Sequence, residues 1–256
     1  MKIASFTSAS LSGMKVFKPI QYLHVQGVCT SMSEAKLRVR VVNSENGRVD
    51  EIIPLIGLDT LGEICSMNEG FYLAEMTESN GTNFSVNVML HPTSAVYLSN
   101  DKFLEVDIEG LKAGNECVVY GIESPTIDKD FVCRYNKFYM SAGELQKTFS
   151  VGDNENIILP NESFEEVTLF YKNGSSCTYT TDELKALMML RNDIVVLPNT
   201  EIAVPQYAQD SMRYSTLVFG CQRMYGLDVN DVESVNIRRS YAAKAFEFVF
   251  IDAIKE

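Results

Sequence analysis

The sequence predicts an all-β protein of two tandem β-sandwiches with a short helix in each, and three observations carry that expectation. From Glu166 to Leu190 the chain reads strand, turn, strand, helix: Val167, Leu169 and Tyr171 alternate with Thr168, Phe170 and Lys172, Asn173-Gly174 follows, and Cys177 to Thr180 returns. A period of two gives a strand two distinct faces, and Asn-Gly accepts the positive φ of a tight hairpin turn. A rougher version occurs earlier, where Leu37, Val39 and Val41 alternate with Arg38 and Arg40, and Asn46-Gly47 makes the turn. Two further pairs then follow in the same order. Leu104, Val106 and Ile108 match Val235 and Ile237, and the strand from Glu116 to Glu123 matches that from Ala245 to Ile254. Such order at a nearly constant spacing of about 120 to 130 residues marks a duplicated unit.

The elements of the first copy follow in order. Met1 to Gly13 is small and polar and reads as an arm or an early edge strand, and Lys15 to Val28 is extended, with Pro19 interrupting it as on an edge or at a bulge. Strands are expected at Lys36 to Asn43 and Glu51 to Leu58. A short helix follows, because Thr60 stands three residues before Glu63 in the spacing of a capping box. Phe71 to Met76, Phe84 to Leu90, Ala95 to Leu98, Lys102 to Glu109 and Glu116 to Glu123 complete the copy. About eight extended segments with one helix suit a jelly-roll sandwich better than a parallel sheet, which needs a helix between successive strands.

The expected division is a first jelly roll over residues 1–124 with a short N-terminal arm, a connection over 125–149, and a second jelly roll over 150–256. The connection holds Pro125 and the aromatic group Tyr135, Phe138 and Tyr139. In the second copy ENIILP, the hairpin, NDIVVLP, EIAVPQY, Tyr214 to Cys221, Glu233 to Arg239 and AFEFVFIDAI supply the strands. Thr180 and Glu183 repeat the capping-box spacing, with Leu184, Leu187 and Met188 on one helical face.

Composition bounds the function. Among 256 residues, 46% are hydrophobic and 22% charged, which describes a globular chain with enough length for two cores. The net charge of −12 disfavours a phosphate-gripping surface, since nucleic-acid binding relies on clustered Lys and Arg. Arg238-Arg239 is the nearest thing to a cluster and reads as a water-exposed strand or loop. The N-terminal stretch lacks an apolar run of signal-peptide type and no run elsewhere would span a bilayer, so synthesis in the cytoplasm is expected. Cysteines 29, 65, 117, 133, 177 and 221 are scattered without a CxxC pair and read as buried hydrophobes.

The search for reactive chemistry gives no catalytic residue, no cofactor-binding residue and no metal ligand. His24 and His91 lie in separate strand regions with no nucleophile motif beside them. Asp228, Asn230, Asp231 and Glu233 resemble the start of a calcium loop. The bend-forming glycine and the terminal bidentate glutamate are missing, so a solvated turn is expected. The N-x-S/T matches at Asn80, Asn83, Asn161 and Asn173 read as turn chemistry. A chain without tryptophan is poorly furnished for sugar stacking, and two histidines are too few for a cupin-type metal set.

The duplicated motif, with its Asn-Gly turns and helices opening TLGEI and TTDEL, resembles the double jelly-roll major capsid proteins of tailless icosahedral viruses. The small versions found in membrane-containing bacteriophages of the corticovirus kind are the nearest in pattern. The resemblance covers Met14 to Ile254 and rests on pattern and order. It implies a non-enzymatic structural protein of the virion, made in the host cytoplasm, whose homotrimers form pseudo-hexagonal capsomers over an internal membrane. The implied partners are neighbouring capsomers, minor capsid proteins and the viral membrane surface, with no sequence-specific nucleic-acid binding. Lys2, Lys15 and Lys18 are the residues placed to face an anionic membrane. The competing classes are a tandem carbohydrate-binding or adhesion protein and a virion spike or vertex protein.

Overall fold

A computed structural model describes residues 1–69, 74–78, 81–91, 93–128, 131–154, 156–160, 164–184, 186, 224–240 and 244–255. The chain divides into two compact units, the first formed over Met1–Arg134 and the second beginning at Tyr135. In the first unit the elements are β1 (Lys2–Phe6), β2 (Leu11–Val16), β3 (Tyr22–Cys29), β4 (Lys36–Asn43), β5 (Val49–Gly57), α1 (Leu58–Glu69), β6 (Ala74–Glu78), β7 (Gly81–Met89), β8 (Ala95–Val96), β9 (Lys102–Glu109), β10 (Cys117–Ile122) and β11 (Ile127–Asp128). They form a five-stranded sheet in the order β1-β10-β3-β7-β6 and a four-stranded sheet β2-β9-β4-β5, with β8 and β11 pairing in parallel.

The second unit repeats that plan with β12 (Phe131–Met140), β13 (Gln146–Ser150), β14 (Asn156–Pro160), β15 (Glu166–Tyr171), β16 (Ser176–Thr180), β17 (Met224–Asp228), β18 (Val232–Arg238) and β19 (Phe246–Lys255). Its sheets are β12-β19-β14-β17 and β13-β18-β15-β16. In both units the pairings nest: β1 with β10, β2 with β9, β3 with β7 and β4 with β5 correspond to β12 with β19, β13 with β18, β14 with β17 and β15 with β16. A long hairpin rolled into two facing sheets is the jelly roll, and the chain contains it twice.

The hairpin turns have one chemistry. Gly47 and Gly174 stand at φ 69° and 83°, in the left-handed region that a side chain resists. Before each glycine, an asparagine side-chain oxygen accepts the N–H two residues on, Asn46 from Arg48 and Asn173 from Ser175, both at 2.9 Å. The capping box forms in the second copy, where Glu183 accepts the Thr180 N–H at 2.8 Å and the Glu183 N–H reaches the Thr180 hydroxyl at 3.3 Å. In the first copy the helix starts earlier than expected, at Leu58. Thr60 is already inside it, and Asp59 supplies the acidic side chain of the first turn and accepts the Thr60 N–H at 2.7 Å. The preceding strand β5 has nine residues against the five of β16, so much of the extra length of the first copy is strand.

The two cores differ in composition. In the first unit Leu23, Val25, Val39, Ile53, Val86, Val106 and Val119 are fully buried. The second core is aromatic: Phe248 packs at ring-centroid distances of 4.8 Å on Phe149, 5.6 Å on Phe250 and 5.9 Å on Phe138. β-Branched aliphatics fill one interior and offset or edge-on rings the other, each suited to alternate positions of a pleated sheet.

Two departures from the expected elements stand out, and the N-terminal stretch takes one of its two expected forms. The stretch 125–149 supplies β12 and most of β13, both paired within sheets of the second unit. The early edge strand forms, with β1 along β10 and the Met1 ammonium donating to the Gly121 carbonyl at 2.7 Å. β17, which was not expected, pairs with β14 through Tyr225 and Leu227. NDIVVLP, EIAVPQY, Tyr214 to Cys221, Phe71 to Leu73, and Leu187 with Met188 lie outside the described residues.

Candidate functional site

The residues that sequence singled out are each tied into local structure. His24 on β3 has Nδ1 2.7 Å from the Asn87 amide oxygen and Nε2 3.3 Å from the Ser85 hydroxyl, with its ring 6.0 Å from Tyr120. His91 is buried, and its Nδ1 accepts the N–H groups of Thr93 and Ser94 at 3.2 and 2.9 Å, which holds a turn. Asp228 accepts both the backbone and the side-chain N–H of Asn230 at 3.0 Å, closing the β17–β18 turn. Asn173 sits in its turn and Asn83 lies half-buried on β7, while Asn80 and Asn161 lie outside the described residues. Among the described residues, no group of three or more His, Cys, Asp or Glu side chains converges as metal ligands do. Cys29, Cys65 and Cys117 are buried, and burial pushes the Cys117 thiol up to about 12.

One expectation needs correction. Arg239 is buried at 3% exposure: its backbone N–H reaches the Leu145 carbonyl at 2.8 Å, Nη2 reaches the Lys244 carbonyl at 2.7 Å, and the guanidinium lies over Phe246. Only Arg238 of that pair is solvated. The lysines assigned to a membrane surface are engaged within the chain, Lys2 with Glu116 at 3.9 Å, Lys18 with Glu123 at 3.6 Å, and Lys15 over the Phe103 ring at 4.8 Å. Lys2 and Lys18, each beside a carboxylate, offer little net positive charge, whereas the ring under Lys15 leaves its charge intact. No helix among the described residues is long and apolar enough to cross a membrane.

What distinguishes one surface from another is the chemistry of the outward-facing side chains. On β4 and β9, Arg38 stands opposite Asp107 and Arg40 opposite Glu105. Asp107 accepts Arg38 Nε and Nη2 at 2.9 and 2.7 Å, Arg40 Nη2 at 2.9 Å, the Ser12 hydroxyl at 3.0 Å and the Gly13 N–H at 2.7 Å. An irregularity in the β2 pairing between Leu11 and Met14 lies at the last two donors. Burial pushes the Asp107 carboxyl up, and the Gly13 N–H, the Arg38 guanidinium, Ser12 and Arg40 together bring it below its ordinary value. Its hydrogen bond in turn raises Arg38.

The corresponding sheet of the second copy keeps one ion pair, Glu166 opposite Arg238, and carries neutral groups beyond it. Thr168 stands opposite Asn236 and Phe170 opposite Ser234. Thr148, Asn236, Thr168 and Thr178 form one row across the four strands, with Asn236 bonded to Thr148 at 2.7 Å and Thr168 to Thr178 at 2.8 Å. Arg238 borders the row and is held by Glu166 at 2.8 Å and Glu165 at 3.4 Å, the first of which it keeps below the usual carboxylate range.

The outer face of the five-stranded sheet is free of carboxylate, lysine and arginine from β10 to β7, and Lys2 of β1 stands opposite Tyr120 at its edge. Tyr120, His24 and Asn87 form one row, and Val118, Gln26 and Ser85 the next. Cys65 of α1 packs on Tyr22 and Met89 at one end. A recess of about 590 Å³ opens among Met1, His24, Tyr120, Gly121, Ile122 and Glu123. Neither face was visible from motifs, since no residue in them is reactive.

No family model matches this chain, and no curated protein matches it. Among solved structures it is similar to the major capsid protein P2 from bacteriophage PM2, at 11% identity and a TM-score of 0.58, over 100% of this chain and 95% of that one. The mavirus major capsid protein, at 9% identity over 99% of this chain and 86% of that one, overlaps much less, with a TM-score of 0.27. Cowpea mosaic virus top component gives 0.32 at 9% identity over 99% and 89%. The chain thus shares the phage capsid protein's fold from end to end.

Proposed function

We propose that this chain is the major capsid protein of an icosahedral virus, a non-enzymatic structural subunit whose homotrimers form pseudo-hexagonal capsomers. The observation that carries the proposal is the whole-chain likeness to the bacteriophage PM2 major capsid protein, which leaves almost none of either chain unmatched. The repeated nested strand order supports it. Two similar sandwiches in one chain turn a threefold trimer into a nearly sixfold tile, and repeated lateral contacts accumulate strength without any single tight site. The first lobe of each tile is residues 1–124. The second is residues 150–256, completed by β12 and β13. The protein is made in the host cytoplasm and resides in the virion of a bacteriophage, among neighbouring capsomers and minor capsid proteins, over an internal membrane.

Light scattering of the purified protein across a concentration series tests this. The expected mass is three times the 28.7 kDa of the chain. A single-chain mass at every concentration contradicts the capsomer and favours a binding module, for which glycan arrays are the next assay.

A further inference from the structure

We propose that one end of the first unit, carried by the loops 17–21, 43–49, 93–102 and 122–127, seats in the headgroup layer of a zwitterionic lipid bilayer. The inference rests on the shell over a membrane proposed above and assigns the surface that meets the lipid.

Three observations carry it. First, the exposed large hydrophobic residues described in the first unit are Met1, Phe17, Val49, Tyr97, Ile122 and Ile127, and all six gather at that end. Met1 precedes β1, Phe17 follows β2, Val49 opens β5, Tyr97 follows β8, Ile122 closes β10 and Ile127 opens β11. The antiparallel pairings bring these points together. Val49 pairs with Val42 and Val42 with Phe103, whose ring lies 5.4 Å from that of Phe17. The Gln21 N–H reaches the Ile122 carbonyl at 2.7 Å and the Val96 N–H the Ile20 carbonyl at 3.1 Å. At the opposite end, residues 7–10, 30–35 and 110–116 expose no large hydrophobic side chain. The second unit shows no such gathering among its described residues, since Tyr139 and Leu145 flank a single turn and Phe170 stands on a strand. Second, this end is neutral within a chain of net charge −12: on its loops Lys18, Arg48 and Lys102 balance Glu45, Asp101 and Glu123. Lys18 lies 3.6 Å from Glu123, and Asp101 accepts the Asn43 amide and the Ser99 hydroxyl. A neutral end escapes the repulsion that the whole chain meets at an anionic surface and gains from burying its apolar tips. Third, the loop backbones bond to one another. The Ser44 N–H reaches the Asp101 carbonyl at 2.7 Å, the Asn43 N–H the Arg48 carbonyl at 2.9 Å and the Lys102 N–H the Ser99 carbonyl at 2.9 Å. Peptide groups satisfied within the protein lose little on leaving water.

The pattern suits a bilayer better than a protein partner. The apolar side chains stand on separate loops, each free to be surrounded by acyl chains, whereas a protein contact concentrates its anchors in one packed patch. Tyrosine and cations are interleaved with them: Arg48 adjoins Val49 and Lys18 adjoins Phe17, so their stems can lie along lipid while their charged heads stay at the phosphates. Glu45 on the same end keeps the insertion shallow, at headgroup depth.

The chain contains no tryptophan, so Phe17→Trp and Val49→Trp each place a single fluorescent reporter at this end, and Leu145→Trp places one on the second unit as a control. Each variant, with folding established by circular dichroism, is mixed with phosphatidylcholine vesicles, plain or brominated on the acyl chains. Blue-shifted emission and quenching by bromine are expected for the first two variants and not for Leu145→Trp. In flotation with the same vesicles, Phe17→Asp is expected to weaken binding about tenfold, and Leu145→Asp to leave it unchanged. Equal quenching of the Leu145→Trp variant, or binding that requires phosphatidylglycerol and is abolished by salt, overturns the assignment to a neutral apolar end. Failure of the folded wild type to bind any vesicle overturns the lipid contact, and if Phe17→Asp then breaks up the oligomer, this end is a contact between copies instead. Light scattering separates this inference from the capsomer: a trimer that ignores vesicles overturns the lipid contact alone, and a monomer that binds them overturns the capsomer alone.

Discussion

Replacing Asp107 by asparagine removes the charge at the hub of the first unit's outer network while keeping its shape. The carboxylate accepts five hydrogen bonds, three of them from guanidinium groups. Oδ1 of an asparagine can still accept from Ser12 and Gly13, but its amide then faces the Arg38 and Arg40 donors. Hydrogen bonds to charged groups contribute about 1.5 to 3 kcal/mol each. The arginine side chains are 34% and 24% exposed, so water takes up part of the loss. The net cost is then about 2 to 3 kcal/mol, and it falls on the β2, β4 and β9 strands that the carboxylate joins. Glu105→Gln, at the end of the same network, costs about 1 kcal/mol or less. Urea unfolding gives the magnitude, read as a lower midpoint at unchanged slope, and amide exchange places the loss.

The pH dependence has a definite sign. Because the folded carboxyl titrates below its unfolded value of about 3.9, its contribution is complete above that value and disappears as pH falls through the folded value. The gap between wild type and Asp107→Asn should therefore be constant at neutral pH and close in acid. A gap under about 0.5 kcal/mol at pH 7, or one that widens in acid, refutes the hub role.

Other substitutions probe separate links. Phe248→Ala opens a hole among Phe138, Phe149, Phe246 and Phe250 and should cost about 3 to 5 kcal/mol in thermal or urea unfolding; a cost under about 1 kcal/mol means the ring cluster is loosely packed. Gly110 stands at φ 77°, and an added Cβ would meet the Glu34 backbone carbonyl, so Gly110→Ala should destabilise the first unit by more than about 2 kcal/mol and lower soluble yield. Thr180→Ala removes the cap of the helix that follows β16, with an expected loss of about 1 kcal/mol, whereas Thr60→Ala, inside its helix, should cost distinctly less.

Much of this architecture is legible in the residues because jelly-roll strands with one wet and one dry face alternate openly. Leu37, Val39 and Val41 against Arg38 and Arg40 identify β4, and the duplication fixes its partner β15. The strands that escape are those with weak alternation. β13 buries only Phe149 among its five residues, and β17 has glycine at its centre with Tyr225 and Leu227 as its buried pair. β1 leaves an arm and an edge strand equally open, since an edge strand is dry on part of one face only. The burial of Arg239 depends on carbonyls supplied by Leu145 and Lys244, and no local pattern announces them.

Electron microscopy of the purified oligomer tests the central claim most directly. The expected class averages show a threefold particle with six similar lobes, two β-sandwiches from each of three chains. A particle with one lobe pair, or a ring whose chain number is not three, contradicts the proposal that this fold builds a pseudo-hexagonal capsid tile.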